Sequence, residues 1–171
     1  MNNYTNLAKK AIEECIKYNK IMKVPDSLPK DFYNRKAGVF VTIFNGKELR
    51  GCIGTFLPTR KNIAEEIISN AVAACSRDYR FSPITKDELP KLNYEVSILS
   101  EPKPVEDIKN HNPKKHGIIV QCSDRRCGLL LPDLGGIDLT EQQIDIACQK
   151  GDIDPLKDNF SLFEFTVEKY K

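Results

Sequence analysis

The stretch from Gly38 to Gly54 constrains the fold more than any other. Gly38-Val39-Phe40-Val41-Thr42-Ile43-Phe44 is dense in β-branched and aromatic side chains, which suit a pleated strand. Asn45-Gly46 follows, and both residues tolerate the positive φ that a tight hairpin turn requires. The chain returns through Leu49-Arg50-Gly51-Cys52-Ile53-Gly54 before Pro58 breaks the pattern. Any fold of this chain must therefore accommodate an antiparallel strand pair early on.

Other segments extend the pattern. Residues 92–99 set Leu92, Tyr94, Val96 and Ile98 against Asn93, Glu95 and Ser97, the alternation of a half-buried strand. A second hairpin is predicted from residues 117–122 and 127–131, and a last strand over 162–168. Leu7, Ala8, Ala11, Ile12, Cys15, Ile16 and Met22 recur at helical spacing, and Pro25 and Pro29 end that run. A second helix is read over 62–76 and a short helical turn over 85–89. A helix is also read over 140–150, where Thr140 and Gln143 have capping-box spacing. The sum is an α+β chain, one domain over residues 1–171. Its sheet is mixed but largely antiparallel, built from hairpins and packed with three to four helices.

Composition excludes several classes. With 171 residues, 40% apolar and 29% charged, the chain can bury a full core without disulfide or metal staples. A net charge of +2 argues against nucleic acid, whose binders usually concentrate basic charge on one face. No apolar run approaches the ~20 residues of a membrane span, and Met1-Asn2-Asn3-Tyr4 does not resemble a signal peptide. A cytoplasmic chain with reduced thiols is expected, and Cys15, Cys75 and Cys148 read as core. There is no Walker loop, dinucleotide glycine fingerprint, HExxH or three-cysteine radical motif, so the cofactor stays unassigned.

Glu48-Leu49-Arg50-Gly51-Cys52-Ile53-Gly54-Thr55 resembles the signature of the AmmeMemoRadiSam system protein A family, the AMMECR-type domain. Arg77-Asp78-x-Arg80-Phe81-x-Pro83, Leu89-Pro90, residues 95–100, Lys115-His116-Gly117 and residues 128–132 look like further family segments in family order. The resemblance covers roughly residues 5–168 and departs at Cys127, where an Arg or Gly is expected. It implies a compact α+β fold with a mixed sheet. It also implies association with a Memo-type protein, itself similar to extradiol dioxygenases, and with a radical S-adenosylmethionine enzyme. It implies no particular reaction.

Candidate site residues follow from chemistry and resemblance together. Gly51 and Gly54 flank Cys52 and leave backbone uncovered, so a ligand or another backbone can come close. In a regular strand Arg50 and Cys52 share a face, and a guanidinium nearby favours thiolate. Cys52 is thus either a nucleophile or a packing residue between glycines. A thiol nucleophile usually needs a base. His116, which lies in a family-like segment, is preferred over His111, and Glu95 is the carboxylate candidate. Arg50, Arg77 and Arg80 could hold an anionic group, and Ser97 shares the polar strand face with Glu95. If Cys122 and Cys127 face each other across the second hairpin, their sulfurs could approach, but no set of metal ligands is assigned. Three functional classes remain. The first is an enzyme or enzyme subunit using Cys52 on a small molecule. The second is a non-catalytic partner of the Memo-type and radical proteins, and the third, weaker, is a nucleic-acid-linked regulator.

Overall fold

A computed structural model describes residues 2–171. In chain order the first elements are helix α1 (Asn3–Tyr18), the single turn α2 (Asp31–Asn34), strands β1 (Val39–Asn45) and β2 (Glu48–Thr55), and helix α3 (Ile63–Ser76). Strands β3 (Leu92–Leu99), β4 (Lys103–Pro104), β5 (Gly117–Cys122) and β6 (Cys127–Leu130) follow. Helix α4 (Thr140–Lys150) and strands β7 (Phe160–Phe165) and β8 (Val167–Tyr170) complete the series. Short 3-10 turns cover Lys86–Lys91 and Ile108–Asn110. The fold is α+β, with hairpin-built antiparallel pairing as expected. The strands divide between two four-stranded sheets, and the chain gathers into two compact units.

The first unit comprises the chain up to Leu99 together with Glu168–Lys171. Its sheet has the order β2-β1-β3-β8, and β1 is antiparallel to both β2 and β3. Asn2 caps α1 by accepting from the Thr5 N–H at 3.0 Å. The helix stops at Tyr18 because Asn19 takes a left-handed conformation, φ 52°. Met22 therefore lies beyond the helix and packs on the core from the extended connector. Asn62 caps α3, and Glu65 and Glu66 in its first turn suit the positive end of the helix dipole. The apolar faces of α1 and α3 meet Val39, Val41, Ile43, Val96 and Ile98 of the sheet. Fully burying each such side chain contributes about 1.5–3 kcal/mol.

The β1–β2 hairpin contains a bulge. Phe44 opposes Leu49, yet Ile43 opposes Gly51, so Arg50 is the extra residue. The slip keeps Arg50 off the core and places Gly51 beneath α3. A Cβ at Gly51 would collide with the Ala74 carbonyl, so at this glycine it is helix backbone that comes close. At Gly54 the Phe40 ring occupies the corresponding space.

The second unit spans Ser100–Val167, with sheet order β4-β7-β5-β6 and antiparallel pairing throughout. Helix α4 covers the face carrying Ile118, Val120, Cys122 and Leu130, and its Ala147 and Cys148 fill that core. The predicted Thr140–Gln143 box does not form. The Thr140 hydroxyl donates to the His111 carbonyl, and Gln142 instead accepts from the N–H groups of Asp138 and Leu139. Gln143 points inward and is fully buried. The predicted last strand divides at Thr166, so β7 joins the second sheet and β8 the first. In the second hairpin Cys127 opposes Gln121, not Cys122. The two thiols therefore leave opposite faces of the ribbon. Among the described residues no helix is long and apolar enough to cross a membrane.

Candidate functional site

The signature strand and the loop after α3 form one cluster. Cys52 is half-buried on β2, on the face turned away from α1 and α3. Its backbone N–H and carbonyl are both held by the loop after α3. The Cys52 N–H donates to Asp78 Oδ2 at 2.8 Å, and Arg80 donates to the Cys52 carbonyl at 3.2 Å. Asp78 and Arg80 pair with each other at 2.7 Å, and Arg80 lies over the Phe81 ring at 5.5 Å. The guanidinium, followed by the N–H groups of Cys52 and Arg80, holds the Asp78 carboxyl down at about 2. Asp78 in turn raises Arg80, whose guanidinium also reaches the Cys52 carbonyl.

The bulge breaks the alternation that would have set Arg50 beside Cys52. Arg50 instead grips Glu88 through two N–H groups at 2.6 and 3.2 Å and donates to the Ser82 and Pro83 carbonyls. This pairing, helped by the N–H and hydroxyl of Thr85, holds Glu88 at about 2. Arg50 thus staples the 82–88 segment to the strand, and Arg80 is the guanidinium that reaches the Cys52 backbone.

Thr42 sits between Cys52 and Glu95, opposite both. Its hydroxyl is 3.2 Å from Cys52 Sγ. The three side chains form a row on one sheet face, with the outer Cα atoms roughly 10 Å apart by strand spacing. Glu95 also meets Lys171 at 3.5 Å. One row along, Ser97 lies opposite Phe40, and its buried hydroxyl has no hydrogen-bond partner among the described residues. Arg77 ends α3 and lines a different groove of about 550 Å³ with Met22, Val24, Ile68 and Val72.

His116 belongs to the second unit, with both of its imidazole neighbours there. Its Nδ1 is 3.6 Å from Glu164 Oε2, and its ring stands 5.7 Å from that of His111. His111 is buried between Glu164 and Gln143.

Sequence reasoning did not single out Glu88, Thr42 or Glu66, and it weighed Asp78 only as part of a polar loop with Arg77, Arg80 and Phe81. Asp78 stood in a recognised motif, but its partner Cys52 is far away in sequence. Thr42 could be found only by knowing the bulge. Glu66 reads as a helix-surface residue, yet it is 1% exposed. It accepts from the hydroxyls of Thr55 and Thr59 and the N–H groups of Thr59 and Arg60, all within 2.8 Å. It thereby fixes the exit of the signature strand.

A protein of Thermotoga maritima is 46% identical over 169 residues, covering 98% of this chain and 97% of that one. A protein of Clostridium acetobutylicum is 39% identical over 169 residues, and there the chain spans only 36% of the relative's length. The crystal structure of an uncharacterised protein from Pyrococcus horikoshii superposes with a TM-score of 0.88 at 31% identity, covering 97% of this chain and 88% of that one. The AMMECR1 family model matches residues 5–170, which include the cluster around Cys52 and both histidines. The chain belongs to the AMMECR1 family.

Proposed function

We propose that this protein is an enzyme, or a subunit of one, that acts on a small molecule through the Cys52 thiol. One observation carries the reading: a half-buried thiol on the sheet face turned away from α1 and α3, with a hydroxyl at 3.2 Å and the Arg80 guanidinium on its own backbone carbonyl. Arg80 stabilises a thiolate or an anionic substrate group, Arg50 and Gly51 hold the strand, and Glu95 is the carboxylate in the row that takes up a proton. The family resemblance supplies the setting, a pathway shared with Memo-type and radical S-adenosylmethionine proteins.

The test is the alkylation rate of each cysteine against pH, read by peptide mass spectrometry. Burial pushes Cys75 up to about 12 and also raises Cys122, Cys127 and Cys148, so these react slowly. Cys52 is expected to react fastest, with an inflection below the ~8.5 of an ordinary thiol. If Cys52 stays unmodified until the chain unfolds, the thiol is architectural and the reading fails.

A docking role has its own support. Leu49 (39% exposed) and Leu57 (48%) flank the signature strand, and Tyr79 (94%) stands out of the clamping loop. Exposed apolar side chains grouped along a motif suit a protein partner. Co-purification with the Memo-type or radical protein that is lost in Tyr79→Ala, with Cys52→Ser unaffected, would favour docking over catalysis.

A further inference from the structure

We propose that His111, His116 and Glu164, all in the second unit, form a binding site for a divalent first-row transition-metal ion. The three residues come from the loop before β5, the residue just ahead of β5, and β7. Glu164 opposes Ile118 in the sheet, and His116 lies two residues before Ile118, so both project toward the face covered by α4. Nδ1 of His111 is 2.8 Å from Glu164 Oε2, and Nδ1 of His116 is 3.6 Å from the same oxygen. All three ligand atoms lie within 4.8 Å of one another.

Gln143 sets the orientation of the first imidazole. Its amide nitrogen donates to the carbonyls of His116 and Leu131, so its oxygen must face His111. That oxygen is 2.7 Å from His111 Nε2, which therefore carries a proton. The remaining ring nitrogen, Nδ1, is aimed at Glu164. A histidine whose outer N–H is held by an oxygen acceptor is the usual arrangement behind a metal ligand.

A simple His111–Glu164 hydrogen bond accounts for one imidazole but not for two. His116 Nδ1 is buried, faces the same carboxylate oxygen, and has no hydrogen-bond partner among the described residues. Burying such a nitrogen without a partner is unfavourable, and a shared cation relieves it. The site is closed on one side, where the His111 side chain is 0% exposed. It is open on the other, where His116 is 28% and Glu164 31% exposed. Two imidazoles and one carboxylate with room for water or substrate suit zinc or ferrous iron, whereas calcium and magnesium prefer oxygen ligands alone.

The test uses the full chain and the metal alone. Zn²⁺ is titrated calorimetrically while the imidazole ¹⁵N resonances are followed, and the chain has two histidines to assign. One equivalent should bind, the Nδ1 signals of both rings should move, and Nε2 of His111 should stay protonated. Gln143→Leu should weaken binding roughly 10–100-fold, and His116→Ala by at least as much. His116 is partly exposed, so that variant should keep its circular dichroism spectrum. Co²⁺ absorption then reports the ligand type. The proposal is overturned if the ring signals do not move, if His116→Ala binds Zn²⁺ as tightly as the parent, or if Co²⁺ shows a thiolate charge-transfer band.

Discussion

Asp78 and Glu66 show how much a single buried carboxylate can organise. Asp78 is 5% exposed and serves two masters, the Cys52 N–H and the Arg80 guanidinium. Asp78→Ala leaves a strand N–H and a charge without their acceptor. It should destabilise the fold by about 2–3 kcal/mol in urea unfolding and change the alkylation rate of Cys52 while leaving that of the buried Cys75 alone. Asp78→Ala with an unchanged Cys52 rate would show that the clamp does not tune the thiol. Among the described residues Glu66 meets no cation but four donors. Glu66→Ala should cost roughly 2–3 kcal/mol, since four hydrogen bonds to one buried carboxylate are lost together. A midpoint close to the parent's would mean that water replaces the carboxylate.

At the scale of elements, close approach of backbones is what the glycines serve. Gly51 lies under the Ala74 carbonyl of α3, whereas a Cβ at Gly135 meets nothing within 4 Å. Gly51→Ala should destabilise by about 1–3 kcal/mol because strand and helix must move apart. Gly135→Ala should be neutral or slightly stabilising through the unfolded chain. Thermal melts of the two variants check the contrast. The hairpin itself was legible, since Asn45-Gly46 and the β-branched run specify it locally. Its register was not. A regular ladder from Asn45 opposite Glu48 would set Thr42 against Gly51, and the bulge at Arg50 sets it against Cys52 instead. The row that joins Cys52, Thr42 and Glu95 exists only because of that one extra residue.

At the scale of the molecule, each unit carries a depressed carboxylate. In the first unit Asp78 falls from its ordinary 3.8 to about 2 and Glu88 from 4.5 to about 2, held by Arg80 and Arg50 respectively. In the second, Asp158 falls to about 2 beside Arg126. A carboxylate depressed in the folded state binds fewer protons there than in the unfolded chain. Its contribution is therefore present above the unfolded value and lost as pH falls through the folded one. Stability should hold from neutrality down to the ordinary carboxylate values and then decline toward about pH 2, with roughly 2 kcal/mol of the loss from Asp78. Denaturation across that range checks it. In Asp78→Asn the first unit's decline should be shallower, and an unchanged slope would remove Asp78 from the account.

The α+β class, the helices and the hairpins follow from the sequence itself, because period and turn chemistry act over a few neighbouring residues. So does membership of the family, carried by motifs in order. Tertiary structure decided the division into two sheets, the break of the last strand at Thr166, and the burial of Gln143 and Glu66. It also decided that Arg80 holds the Cys52 carbonyl and that His111 and His116 share Glu164. Each of these joins residues distant in the chain, and such contacts depend on register and packing, which no short run of side chains encodes.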